Sequence, residues 1–182
     1  MTLNPEASPE ANASEFPRFF DVRQCEGKAV YLQADAAERA ALAKRFGIVR
    51  IDRLEAEVVL HRQERSVDAK GTLSADLVQA CAVSAEDLPV AVNEEIAIRF
   101  VPQTRTYAPD SEIELSAEDC DEIEYSGSHF DLGEAVAQTL ALAIDPFAVG
   151  PEAEEARKRP ELNGQDEHGP FAALKALKLP EA

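Results

Sequence analysis

The chain has 182 residues, enough for one domain with tails, and 45% of them are apolar, so a core can form. Against 18 Lys and Arg stand 35 Asp and Glu, a net charge of −17. That balance argues against long-range attraction to nucleic acid, which depends on Lys and Arg displacing counterions from phosphates, and favours solubility and basic partners.

Residues 1–15 are polar, contain Pro5 and Pro9, and carry neither a basic residue nor an apolar run. They read as a disordered leader rather than a signal peptide. Phe16–Val22 and Ala29–Gln33, separated by Glu26-Gly27-Lys28, read as two short strands or a strand and an extended lead-in. Asp35–Phe46 is rich in Ala, Leu, Arg, Lys and Glu, which are strong helix formers. Asp35 stands at the N-cap with Glu38 at capping-box spacing, and Gly47 supplies the C-terminal stop.

Three period-two segments follow. In Ile48–His61, Leu54, Ala56, Val58 and Leu60 share one face; in Ser66–Val83, Leu73, Ala75, Leu77 and Cys81 do so; in Asn93–Val101, Ile96, Ile98 and Phe100 do. Joined by short links, they predict an antiparallel meander ended by Pro102, which has no N–H for a ladder. Residues 103–121 read as an acidic loop, and Glu122–Tyr125 as a short further strand. The charge imbalance is concentrated here: 103–134 hold ten acids and one base, Arg105, whereas 16–102 hold 14 acids and 12 bases. A second helix is expected over His129–Asp145, capped by Asp131 with Glu134 at the capping-box position, striped by Leu132, Val136, Leu140 and Ala143, and closed by Asp145-Pro146. Pro151, Pro160 and Gly164 make 150–169 read as a linker, and Phe171, Leu174 and Leu177 give 170–178 an amphipathic spacing too short to be stable alone. The whole predicts an α+β domain over 16–149: a curved antiparallel sheet, whose connection lengths allow a partly closed barrel, covered on one face by two helices. A disordered leader (1–15) precedes it, and a linker and short tail (150–182) follow.

Reactive constellations are hard to find in this sequence. Cys25, Cys81 and Cys120 are odd in number, far apart and without C-x-x-C or Cys/His spacing, which indicates neither a disulfide framework nor a zinc site and suits a reducing cytoplasm. His61, His129 and His168 lack clustered ligands, and Cys81 on an apolar strand face reads as a buried structural thiol in preference to a nucleophile. Nucleophile-elbow, P-loop and dinucleotide fingerprints are absent. The longest apolar stretch, Ala135–Ile144, is too short to span a bilayer. The expectation is a cytoplasmic binding protein, not an enzyme, with no cofactor, metal, membrane or small-molecule substrate.

Two surfaces are candidates for contact. Arg45, Arg50, Arg53, Arg62, Arg65 and Lys70 flank the first two long strands and make the one basic patch the sequence offers, without interleaved aromatics to stack bases. Phe171, Leu174 and Leu177 could dock in an apolar groove of a partner or on this protein's own sheet. The acid run 110–124 reads first as a solvated loop, and second as a dock for a basic protein or an imitation of nucleic acid.

The order of elements resembles the YceD family of large ribosomal RNA subunit accumulation proteins. The resemblance is carried by Glu15-Phe16-Pro17-Arg18, by the helix segment from Ala36 to Gly47, and by Gly71-Thr72-Leu73-Ser74-Ala75 running on to Cys81-Ala82-Val83-Ser84. It continues through Ile98-Arg99-Phe100-Val101-Pro102, the helix from Asp131 to Leu142, Asp145-Pro146-Phe147 and the tail Pro170-Phe171-Ala172-Ala173-Leu174. It spans roughly 130 residues, one domain's usual size. It implies a bacterial cytoplasmic protein needed for accumulation of 23S ribosomal RNA, with no catalytic residues attached to the family. Some relatives carry a C-x-x-C-like pair where this chain has Cys81 and Ser84, so any metal site of theirs lacks a ligand here. Three readings follow. One is an accessory factor that binds a basic ribosome-assembly or RNA-processing protein. Another is direct binding of precursor rRNA through the arginine face. The last is a thiol- or carboxylate-dependent enzyme, or an acidic interaction module unrelated to rRNA.

Overall fold

The structure, a computed structural model, describes residues 14–103 and 122–159. These form two compact units: one takes in the chain to Val78 and Pro89–Ile144, the other Gln79–Leu88 and the chain from Asp145.

In the first unit, β1 (Phe19–Asp21) leads into a 3-10 turn, Val22–Gln24, and β2 (Lys28–Gln33). Helix α1 (Ala36–Phe46) starts as its sequence dictates. The Asp35 carboxylate accepts the N–H groups of Ala37 and Glu38, and Glu38 Oε2 accepts the Asp35 N–H at 2.8 Å, which closes the reciprocal capping box. Gly47 ends the helix in the left-handed conformation, φ 68°, where a Cβ would cost energy. The period-two segments become β3 (Arg50–Gln63), β4 (Ser66–Ala80) and β5 (Asp87–Pro102). β5 starts six residues before the expected Asn93, because Leu88, Val90 and Val92 continue its alternation past the exposed Pro89.

A short β6 (Glu122–Tyr125) joins these in a five-stranded sheet of order β2-β3-β4-β5-β6. β2–β3 and β3–β4 are antiparallel, as the meander required. β6, however, lies parallel to β5, Arg99 opposite Glu122 through Pro102 opposite Tyr125. The sheet is therefore mixed, and the long 103–121 connection is what permits this, since parallel neighbours need a crossover of about a dozen residues or more. The sheet is also open, not a partly closed barrel. Its outer strands β2 and β6 are short and unpaired with each other, and β1 pairs separately with β7 (His129–Asp131). The α+β class holds.

The core lies between the sheet and its helices: Leu54, Leu60, Leu73, Ile96 and Phe100 from the strands meet Leu42 of α1 and Leu132, Val136 and Leu140 of α2 (Leu132–Ala143). Phe100 and Phe130 stack with ring centroids 4.1 Å apart. No helix among the described residues is long and apolar enough to cross a membrane.

A polar clasp joins the chain's start to both helices. Asp131 Oδ1 accepts from Gly133 N and Glu134 N, capping α2, and also from Arg18 N at 2.8 Å. Phe16, wholly buried, precedes it. The Arg18 guanidinium reaches Glu38 of α1 at 2.7 and 2.9 Å. Arg45, in the last turn of α1, donates to Glu15 and, with both terminal nitrogens, to Glu134 of α2 at 2.7–2.9 Å. The expected capping box of α2 is thus only half made, because Glu134 turns to Arg45. Ser14 and Glu15, assigned to the leader by sequence, belong to this clasp. Gly133 is required by close approach: a Cβ there would stand 1.8 Å from the Phe16 carbonyl oxygen.

The arginines hold the Glu38 and Glu134 carboxyls below their ordinary range, hydrogen bonding being the main cause. A folded pKa below the unfolded one stabilises above the unfolded value, and that stability is lost as pH falls through the folded one. Arg45→Gln is expected to cost about 1 kcal/mol near neutrality, solvent screening included, with the deficit closing in acid as Glu134 protonates; urea unfolding at several pH values measures it. Gly133→Ala is expected to cost about 1–3 kcal/mol at every pH, seen as a lowered thermal midpoint.

Candidate functional site

The six basic residues singled out by sequence do not form one patch. Arg45 is held by Glu15 and Glu134. Arg50 at the start of β3 pairs with Asp52, and Arg53 bridges Asp76 on β4 and Glu55. Arg62 near the end of β3 donates to the Glu64 carbonyl, and Arg65 lies exposed in the following turn, where its carbonyl accepts the Tyr125 hydroxyl at 2.6 Å. Lys70 is exposed on β4 opposite Val59. Twelve strand residues separate Arg50 from Arg62, about 40 Å at the rise of a strand. Sequence reading missed two further paired arginines, Arg18 on Glu38 and Arg99 on Asp68, because their partners lie far along the chain. The candidate tail Phe171, Leu174 and Leu177 and the loop 104–121 lie outside the described residues.

Cys81 sits in the second unit, not on a strand face: β4 ends at Ala80, and Cys81 opens a turn. The thiol is buried, 4% exposed. Its Sγ accepts the N–H groups of Val83, Ser84 and Gly150, each at 3.4 Å. Cys81 N donates to Glu86 O at 2.8 Å, and Ala82 N to Ala148 O at 2.9 Å. The Glu86 carboxylate accepts from Ser84 Oγ and Glu152 N, and Gln79 Nε2 donates to Asp145 O. Residues 150–159, expected as linker, thus form ordered structure around Cys81, including the helical turn Ala153–Ala156 with both alanines buried. Hydrogen bonds to the sulfur, from the Gly150 N–H foremost, then the Ser84 hydroxyl and the Ser84 and Val83 N–H groups, bring the thiol down from its ordinary 9.0 to about 7. A general base is not among its hydrogen-bond partners.

Of the histidines, His61 is exposed on β3, and His129 lies beside Ser128 Oγ and 3.9 Å from Asp21. No group of three His, Cys, Asp or Glu side chains among the described residues is placed to hold a metal ion.

A concavity of about 540 Å³ lies in the first unit, between α2 and the β5–β6 edge. Ile98, Ile123, Ala135 and Leu142 line it with apolar atoms, and Glu94, Glu95 and Glu122 carry its charge; no Lys or Arg is among its described lining residues. Leu142 is 89% exposed. A smaller hollow of about 260 Å³ adjoins it, lined by Phe100, Tyr125, Phe130 and Glu134 among others. No local pattern marks this groove, because its walls come from separate segments, Glu94–Ile98, Glu122–Ile123 and Ala135–Ala143.

Comparison with known families matches residues 69–178 to the family described as Large ribosomal RNA subunit accumulation protein YceD. No curated protein and no solved structure matches the chain. The match begins within β4. It therefore includes every residue lining the groove and the turn around Cys81, and of the six basic residues only Lys70.

Because the folded pKa of Cys81 lies below that of a free thiol, its contribution to stability is present above about 9 and lost as pH falls through about 7. Cys81→Ala is therefore expected to fall behind the parent protein increasingly between pH 7 and 9 in thermal unfolding. A deficit that shrank with rising pH would contradict the hydrogen-bond assignment.

Proposed function

The chain belongs to the YceD family, whose role is in accumulation of large-subunit ribosomal RNA, and from that premise we propose that it acts without catalysis, by binding a basic protein of the assembling particle. What supports a protein partner over naked RNA is the disposition of charge. Arg18, Arg23, Arg45, Arg50, Arg53 and Arg99 are each engaged by a carboxylate of the same fold, in a chain of net charge −17. Phosphate binding requires cations free to displace counterions. A basic protein, by contrast, is attracted by the field of such a chain at long range. Ribosomal particles assemble in the cytoplasm, which is where this activity is placed.

What supports a non-catalytic role is the Cys81 turn. Its thiol is the described nucleophile with the lowest pKa, yet it is buried and has neither an imidazole nor an amine among its hydrogen-bond partners. A second reading, direct RNA contact, has the exposed Arg62, Arg65 and Lys70 along the β3–β4 hairpin in its favour.

Loss of the protein in its own host is expected to lower 23S rRNA relative to 16S and the ratio of large to small particles in a sucrose gradient. Expression of the Cys81→Ala chain is expected to restore both. An unchanged gradient would remove the ribosomal reading, and failure of a folded Cys81→Ala chain to restore it would remove the non-catalytic one. Capture of large-subunit protein by the tagged chain is expected to survive ribonuclease. Loss of capture on ribonuclease treatment, with retention of precursor RNA that weakens steeply with salt, would favour the RNA reading.

A further inference from the structure

We propose that the groove between α2 and the β5–β6 edge is the docking site for a basic segment of a large-subunit protein that presents apolar side chains. This rests on the preceding reading of a basic protein partner and names where and how that partner is held.

Three observations carry it. The first is Leu142. The buried stripe of α2 is Leu132, Ala135, Val136 and Leu140, and Leu142 stands outside it, 89% exposed at the groove. Ala135, Ile98 and Ile123 give that leucine an apolar floor beside it. The volume of about 540 Å³ lies in the range that binding clefts occupy. Bringing an apolar side chain against Leu142 removes both from water.

The second is Glu94. Along β5 the even-numbered residues face the core: Val92 and Ile96 are buried, and Leu88, Val90 and Ile98 half-buried. Glu94 holds the same register and is exposed, so an acid occupies an inward position at the mouth of the groove. Glu95 and Glu122 also line the groove, and no Lys or Arg is among its described lining residues.

The third is chain continuity. Glu122, on the groove, is the residue at which the acidic 103–121 segment ends, and that segment contributes Asp110, Glu112, Glu114, Glu118, Asp119 and Asp121 against Arg105. The charge of the groove and that of the adjoining sequence have one sign. A second copy of this chain, equally acidic, and RNA are both repelled by it; a segment rich in Lys and Arg is drawn to it.

Inward acids at a sheet edge also discourage self-pairing of strands, and the test separates that protective role from docking. The full-length chain is titrated against a labelled peptide of alternating leucine and lysine turns, with the same peptide carrying glutamate for lysine and an all-lysine peptide beside it, read by fluorescence anisotropy. The leucine–lysine peptide is expected to bind, the glutamate form not to bind, and the all-lysine form to bind about tenfold more weakly. Leu142→Asp, and separately the pair Glu94→Lys and Glu95→Lys, are each expected to weaken binding about tenfold with an unchanged thermal midpoint. Glu57→Lys on the exposed face of β3 makes elsewhere the same change of charge as one of those two glutamate substitutions and is expected to change affinity by less than about twofold.

Several results would overturn the proposal. One is unchanged affinity in Leu142→Asp; another is a loss in Glu57→Lys as large as in the groove variants, which would mean unspecific attraction. Self-association of the groove variants without loss of peptide binding would mean protection only. Tighter binding once Phe171, Leu174 and Leu177 are replaced by Ala would make this chain's own tail the occupant. The same variants separate the site from the function. If groove variants still capture large-subunit protein from ribonuclease-treated extract, the site is wrong and the partner class stands. If the parent chain captures none, the partner class itself has failed.

Discussion

The first unit depends on one carboxylate oxygen, Asp131 Oδ1, which accepts three backbone N–H groups at once. Two belong to the first turn of α2 and are the orphan donors that any helix start must satisfy. The other belongs to Arg18, more than a hundred residues earlier. This oxygen ties the end of β7, the start of α2 and the backbone at Arg18 to one point. Phe16 is then buried beside the helix, Gly133 gives its backbone room to approach, and the Arg18 side chain is aimed at the capping box of α1. Each neighbour of the clasp follows from that placement.

A consequence runs outward to the surface. Arginines that would otherwise project as free cations are drawn onto carboxylates: Arg18 and Arg45 by the helices, Arg53 and Arg99 by acids on neighbouring strands. The acids they neutralise are those built into the fold. Those at the groove, Glu94, Glu95 and Glu122, have no cation among the described residues lining it.

The turn around Cys81 obeys a different rule. It is assembled by backbone N–H groups closing on a sulfur and by Glu86, whose carboxylate holds Ser84 and Glu152 together. Gly150 belongs here because a Cβ would meet the Glu86 carboxylate at 2.3 Å. The described hydrogen-bond partners of the sulfur are backbone N–H groups. The thiol pKa is lowered by the Gly150 N–H first, then by the Ser84 hydroxyl and the Ser84 and Val83 N–H groups.

The sequence alone determined what depends on near neighbours. Helix α1 with its capping box and Gly47, the alternation of β3, β4 and β5, the Asp131 cap and the stop at Asp145-Pro146 all express rules that act within a few residues. The family resemblance was legible for a related reason, since an ordered series of such local elements survives without any diagnostic motif. Tertiary structure decided what depends on residues brought together from a distance. Glu134 left its own helix cap for Arg45, because a guanidinium from α1 lies within reach of both its oxygens and binds them more strongly than one backbone N–H. β6 paired parallel, which no alternation specifies. The arginine row was dispersed along some forty ångströms of strand. The groove is lined by residues of β5, β6 and α2, which lie far apart in the chain. Charge pairing, strand direction and concavity are properties of partners, and partners are chosen only when the chain folds.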